Sequence, residues 1–283
     1  MTNSFDRFKQ YLDNSKIEKD IMSTGWEEMD EQIAYKGLPS DCLLYLYAKA
    51  SVGKTYYVTN WIYRLLKLAN SRKIVFFSLE MSYDNIMDRF LQCVLGESIW
   101  DVGRIKKTED NHIINKLEKI NYFDRVNIYD GICDIERLYK VAEEEKPDII
   151  FIDHLHKIKC QHQDIFQKTT HISGSLFELK KRYKTRVVCL VQLKREGNSK
   201  DKEHAGTRIP LLEDSKGSGA IEEDGDLILG LGRPSINPTV SEINKFTLHG
   251  AFIKNRFSAT GFPQIIQWKY DPKTSILTEK FGV

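Results

Sequence analysis

The stretch Ala48-Lys49-Ala50-Ser51-Val52-Gly53-Lys54-Thr55 constrains this chain more than any other. It follows an apolar run at residues 42–47 that reads as a buried strand. It precedes residues 56–66, which read as a helix. Strand, small-residue loop, Gly-Lys-Thr and helix is the context a phosphate-binding loop needs. There the main-chain N–H groups of the loop and the helix N-terminus point at an anion, and the helix dipole favours negative charge. Lys54 is placed to reach the β- and γ-phosphates of a nucleotide, and the Thr55 hydroxyl to sit on Mg²⁺. Such a loop usually opens with glycine. Here the position is Ala48, and alanine resists positive φ.

A phosphate-binding loop demands a parallel sheet behind it, and the chain supplies one. Apolar runs at 73–78, 126–129, 148–152 and 186–191 read as strands. They alternate with helical patterns at 83–94, with Ser82 as N-cap, and at 110–120, 134–145 and 166–183. Unbroken apolar strands separated by helices predict an α/β fold with a mainly parallel central sheet flanked by helices. Residues 226–231, 245–254, 263–268 and 275–280 read as strands joined by turns, expected as antiparallel additions to the sheet edge. Before the first strand, residues 27–35 suggest a short helix with Trp26, Met29 and Ile33 on its apolar side. Residues 4–21 suggest an amphipathic helix with Phe5, Phe8 and Leu12 on one face.

Composition narrows the class. No apolar run approaches the roughly 20 residues a membrane helix needs, and Met1 to Arg7 carry no signal-peptide pattern. A cytoplasmic protein without membrane contact is expected. The five cysteines, Cys42, Cys93, Cys133, Cys160 and Cys189, are odd in number and dispersed, which suits reduced thiols. The net charge is only +2, so nucleic-acid binding requires local clustering or an oligomer that repeats one basic surface.

Hydrolysis of a nucleotide requires more carboxylates at the edge where parallel strands end. Asp153 closes an apolar strand and is the expected partner of Mg²⁺, with Thr55. Glu80 follows the strand at 73–78 and is placed to polarise an attacking water. Gln192 follows the strand at 186–191 and is placed to sense the γ-phosphate. His154, His156, His162 and His171 match no common zinc spacing. His156 is expected to face the nucleotide or the neighbouring loop. Positive charge gathers between 180 and 208, including Arg195, Lys200, Lys202 and Arg208, in a long polar loop without aromatics. A second small-residue loop carries Lys216, Gly217 and Ser218. Both suit contact with a nucleic-acid backbone without base readout.

Taken together, these segments resemble the RecA-like motor domain of DnaB-type hexameric replicative helicases of superfamily 4, phage relatives included. Ser23-Thr24-Gly25-Trp26 is similar to the start of that motor domain. The loop Ala48–Thr55 is similar to the family's phosphate loop, in which alanine at the first position is common. Phe77-Ser78-Leu79-Glu80-Met81-Ser82 resembles the segment of the catalytic glutamate, Ile152 to His156 the Mg²⁺-aspartate motif, and Val191 to Arg195 the sensor segment. Ser218 to Asp226 resembles a signature that follows a DNA-binding loop, in which Lys216 replaces the usual arginine. The family has Tyr and Gln where His154 and His156 stand. Phe252-Ile253-Lys254-Asn255-Arg256 resembles the element that reaches into a neighbour's ATP site, so the resemblance implies that Lys254 and Arg256 act in trans, Arg256 as an arginine finger.

By this resemblance residues 1–22 form a linker helix that docks on the adjacent subunit, and residues 23–283 form a RecA-like P-loop ATPase/helicase domain without the usual N-terminal collar. The implied protein is a hexameric ring that uses ATP and Mg²⁺ to move on single-stranded DNA and unwind forked duplex. Primase, a loader or polymerase are its expected partners. The alternatives are a RecA/RadA-like recombination or repair ATPase, and a nucleotide-dependent scaffold without unwinding.

Overall fold

A computed structural model describes residues 20–68, 72–108, 123–193, 208–215, 219–233, 246–257, 264–271, 273–274 and 276–279. The chain runs β1 (Ile21–Met22), α1 (Glu27–Glu31), β2 (Leu38–Pro39), β3 (Leu43–Lys49), α2 (Lys54–Lys67), β4 (Ile74–Ser78), α3 (Tyr83–Leu95) and α4 (Ile99–Thr108). It continues through β5 (Val126–Asp130), α5 (Ile135–Glu145), β6 (Ile149–Asp153), α6 (Ile165–Tyr183), β7 (Arg186–Leu193), α7 (Gly219–Asp224), β8 (Leu227–Gly232), β9 (Thr247–Asn255), β10 (Ile266–Tyr270) and β11 (Leu277–Glu279). Nine strands form one sheet in the order β11-β10-β9-β8-β3-β7-β6-β4-β5.

β3 lies inside this sheet, parallel to β7 on one side and to β8 on the other. All of its residues are buried. Because side chains alternate across a strand, it feeds two cores. Leu44, Leu46 and Ala48 join the core with Trp26, Tyr57, Trp61 and Trp268. Leu43, Tyr45 and Tyr47 join the core with Leu138, Ile172 and Leu176 of α5 and α6. This two-sided burial is why the strand reads as an unbroken apolar run.

The C-terminal strands depart from expectation in one respect. β8, within residues expected as an antiparallel addition, pairs parallel with β3, and only β9, β10 and β11 are antiparallel. Local pattern does not carry strand direction, and a buried run such as Leu227–Gly232 suits either pairing. The helix expected at 27–35 is shorter, closing at Glu31, although Trp26, Met29 and Ile33 are all fully buried as foreseen. Of residues 1–22, those to 19 lie outside the described residues, and Ile21–Met22 form a strand paired with Leu38–Pro39 in place of a helix end. The helix expected at 110–120 also lies outside them. Ser82 occupies the N-cap position of α3 without a side-chain cap. Asp130 at the end of β5 accepts the Tyr83 N–H instead, at 2.8 Å.

The lead-in segment is locked down by aromatic contacts. Trp26 stacks on Tyr57 of α2 at 6.0 Å and meets Trp268 of β10 edge-on at 5.8 Å. The Arg64 guanidinium lies over the Trp26 ring at 3.8 Å. Glu279 of β11 accepts the Glu27 and Glu28 N–H groups, both at 3.0 Å, which caps α1 from the far end of the sequence.

At the edge of the sheet where β3 begins, Asp226 joins four elements. Its carboxylate accepts from the Leu43 N–H at 2.8 Å, from Lys180 of α6, and from Arg256 after β9 at 3.2 Å. Lys180 is only 4% exposed, so removing its counter-charge strands a buried ammonium. Asp226→Ala is expected to lower the unfolding free energy by about 3 kcal/mol or more. Urea denaturation would show a lower midpoint at an unchanged slope.

Candidate nucleotide site

The loop between β3 and α2 bends through two left-handed residues, Ser51 at φ 66° and Gly53 at φ 108°. Gly53 is the residue before the first helical turn. A side chain there would meet no neighbour, so glycine is required for its backbone conformation alone. Ala48 carries no such demand. It is the sixth residue of β3, paired with Gln192 and Leu231, and its methyl is buried. Lys49 ends the strand, and Ala50 to Thr55 line a cavity of about 400 Å³.

Lys54 opens α2 and folds back over the loop, its Nζ 3.3 Å from the Lys49 carbonyl. Burial lowers its pKa, while Asp153 and Glu80 favour its charged form. Thr55 donates its hydroxyl to Oδ2 of Asp153 at 2.7 Å. Asp153 closes β6 beside Ser78 of β4, and its carbonyl accepts the Leu79 N–H at 2.8 Å, which sets the turn that presents Glu80. Asp153 is 1% exposed, and its Oδ1 has no hydrogen-bond partner. Burial raises its pKa, against the lowering effect of the Thr55 bond. A buried carboxylate with one free oxygen beside a threonine hydroxyl fits an oxygen-ligated dication such as Mg²⁺.

Glu80 and Gln192 line the same cavity from the ends of β4 and within β7. The parallel register therefore brings Lys54, Thr55, Glu80, Asp153 and Gln192 to one edge. His154, directly after Asp153, is buried and holds Nδ1 3.3 Å from Oε2 of Glu80. His156 does not line the cavity: its ring meets His154 edge-on at 6.1 Å, and its carbonyl accepts from Lys168.

Lys254 and Arg256 stand elsewhere. β9 is antiparallel, so its end lies beside the start of β8, with Asn255 opposite Leu227, at the edge away from the loop. Lys254 donates to the Glu222 carbonyl, and Arg256 to Asp226 and to the Glu223 carbonyl. Neither joins the cavity of its own chain. Arg208 pairs with Asp214 at 2.8 Å. Arg195, Lys200, Lys202, Lys216, Gly217 and Ser218 lie outside the described residues.

The cavity also holds residues that the sequence pattern did not single out. Arg89 of α3 stacks over the Tyr56 ring at 3.8 Å, with its Nε and Nη1 buried and without hydrogen-bond partners. Arg233, Thr247, Leu248 and Tyr270 also line the cavity, with Tyr56 and Tyr270 edge-on at 6.1 Å. Helical spacing gives one signal for Arg89, since Ile86 and Phe90 are buried on the same face of α3.

Comparisons with known proteins agree with this arrangement. A family model described as the DnaB-like helicase C-terminal domain matches residues 22–274. A probable plasmid replicative DNA helicase of Chlamydia muridarum is 27% identical over 276 residues, covering 94% of this chain and 56% of the relative. The replicative DNA helicase DnaB of Helicobacter pylori strain J99 is 27% identical over 237 residues, covering 78% of this chain and 46% of the relative. The chain thus spans about half the length of the curated relatives it matches. Among solved structures, one described as an ATPase domain has a TM-score of 0.79 at 20% identity, covering 98% of this chain and 99% of that one. A DnaB-like replicative helicase studied with its primase interactions has a TM-score of 0.77 at 20% identity, covering 98% and 66%. The fold is therefore the expected RecA-like one, with antiparallel strands at its C-terminal end.

Burial of His154 pushes its pKa down to about 4, because the charged ring loses its water. An exposed histidine titrates near 6.5. In a proton NMR titration, the His154 ring is expected to stay neutral down to about pH 4. The unfolded chain takes up that proton first, so this residue's contribution to stability falls as pH drops from about 6.5 towards 4.

Proposed function

The chain belongs to the DnaB-like helicase C-terminal domain family, and on that premise we propose that it is the ATP-hydrolysing motor of a ring-forming replicative DNA helicase. One observation carries the reading: Thr55, which lines the cavity with Glu80 and Gln192, bonds to the buried strand-end carboxylate of Asp153. That is the polar set phosphoryl transfer to water requires.

In this reading the main-chain N–H groups of Ala50 to Thr55 cradle the phosphates, and Lys54 reaches the β- and γ-phosphates. Thr55 and Asp153 would hold Mg²⁺, which when bound would supply positive charge beside the phosphate oxygens. Glu80 accepts a proton from the attacking water. Its carboxylate is half exposed at the cavity mouth, which leaves room for that water. Gln192 hydrogen-bonds the γ-phosphate. Arg89 turns its unsatisfied guanidinium N–H groups to the same charge, which is why they tolerate burial without a protein partner. The wall of Tyr56, Arg233 and Tyr270 takes the base by stacking.

Lys254 and Arg256 serve the next subunit. Neither lines the cavity of its own chain, which supports that role. The loops at 196–211 and 213–219 face the ring's pore. Copies of Lys216, with Arg195, Lys200, Lys202 and Arg208, then line it with positive charge despite the small net charge per subunit. Single-stranded DNA enters that pore, forked duplex is unwound outside it, and primase, loader or polymerase are the accessory partners. Residues 1–22 act as the linker between subunits. Among the described residues no helix is long and apolar enough to cross a membrane, and we place the activity in a cytoplasm, that of a host if the chain is phage-borne.

A site completed in trans makes activity depend on assembly. ATP hydrolysis per subunit is expected to rise cooperatively with protein concentration and to increase with single-stranded DNA. Glu80→Gln is expected to lower kcat by about 100-fold or more, and Arg256→Ala by about 1000-fold. Hydrolysis independent of both concentration and DNA would overturn the proposal. Strand separation on a forked substrate distinguishes the motor from a strand-exchange ATPase.

A further inference from the structure

The turn after β6 carries an arrangement that hydrolysis does not need. Glu80, Asp153 and His154 each present one ligand atom, and the three atoms lie within 4.8 Å of one another. His154 Nδ1 is 3.3 Å from a Glu80 oxygen and 3.9 Å from Oδ1 of Asp153. His154 is 5% exposed and Asp153 1%, and neither His154 Nδ1 nor Asp153 Oδ1 has a hydrogen-bond partner. Two buried polar atoms aimed at the same small space need something between them.

We propose that Glu80, Asp153 and His154 bind a borderline transition-metal dication, of which Zn²⁺ is the type, in the nucleotide-free protein. Ligands held about 2.1 Å from a tetrahedral ion stand about 3.4 Å apart. The pairs at 3.3 and 3.9 Å stand close to that spacing, and the third pair, within 4.8 Å, closes to it by movement of the half-exposed Glu80 side chain. One imidazole nitrogen with two carboxylate oxygens is a set that favours zinc over magnesium, whose preference is for oxygen alone. Glu80 is half exposed, so the ion has a path in from the cavity and an open fourth position for water. The neutral ring binds through Nδ1 with its proton on Nε2. Chain spacing hides this site, because its third ligand comes from the end of another strand, which is why the histidines match no zinc pattern. The ion and the oxygen-ligated Mg²⁺ of the nucleotide state share Asp153. Filling one site therefore excludes the other, and while Zn²⁺ is bound Glu80 is tied to it. The binding itself does not rest on the hydrolytic reading.

The test is calorimetric titration of Zn²⁺ into the nucleotide-free full chain, repeated with His154→Phe, Glu80→Gln and Cys160→Ala. Cys160, with His162 and His171 nearby, is the competing thiol-histidine group. His154→Phe and Glu80→Gln are each expected to weaken the binding of one Zn²⁺ per chain by about tenfold or more, and Cys160→Ala to leave it unchanged. Glu80 is exposed, so its variant decides the matter if His154→Phe does not fold. Wild-type affinity retained in Glu80→Gln, loss of binding in Cys160→Ala alone, or no binding by the wild type overturns the proposal. Binding that survives these controls in a chain without ATPase activity would separate this proposal from the motor reading.

Discussion

A strand that is hydrogen-bonded on both sides and buried on both faces has chemistry to offer only at its ends. β3 is such a strand, and this constraint governs the rest of the molecule. Its last residue, Lys49, opens into the phosphate-binding loop. Its first, Leu43, is tied down by the carboxylate of Asp226. β6 and β7 run parallel to it, so their ends, Asp153 and Gln192, gather at the loop's edge. The opposite edge collects what the antiparallel β9 brings back, Lys254 and Arg256. Direction of pairing, more than proximity in sequence, sorts the functional residues into two separate sets.

Much of this was legible in the residues. The alternation of apolar strands and amphipathic helices is a local property, and every parallel strand of the sheet from β3 to β7 appeared as an apolar run. The floor of the site was legible for the same reason: Thr55 and Asp153 sit at a helix start and a strand end, positions that pattern fixes. Strand direction was not legible at Leu227–Gly232, because a doubly buried strand looks alike in either orientation. Arg89 was hidden because its role depends on α3 lying over Tyr56, a packing relation between distant segments. Asp130 was hidden as a helix cap because it belongs to another strand. Ala48, which stood against the glycine pattern, needs no special backbone at all, since the left-handed turns fall at Ser51 and Gly53.

The two edges place opposed demands on the same side chains. Arg256 is held at home by Asp226 and the end of α7, whereas the proposed trans role would need it in a neighbour's cavity. Its own guanidinium is half exposed at home, although Asp226 is buried, so water already competes for the arginine. Its contacts are well suited to being exchanged, whereas the buried pair of Asp226 with Lys180 keeps the sheet edge intact while that happens.

The stacking of Trp26 on Tyr57 bears on how such a molecule handles force. α2 begins with Lys54 and Thr55 and, within its first turn, presents Tyr57 to Trp26. Packed aromatic rings compress little. A pull on the segment that leads into Trp26 is therefore shared between the helix that opens with Lys54 and Thr55 and the sheet, through Trp268 of β10 and Glu279 of β11. The lead-in segment and the phosphate-binding loop thus share one helix as an anchor.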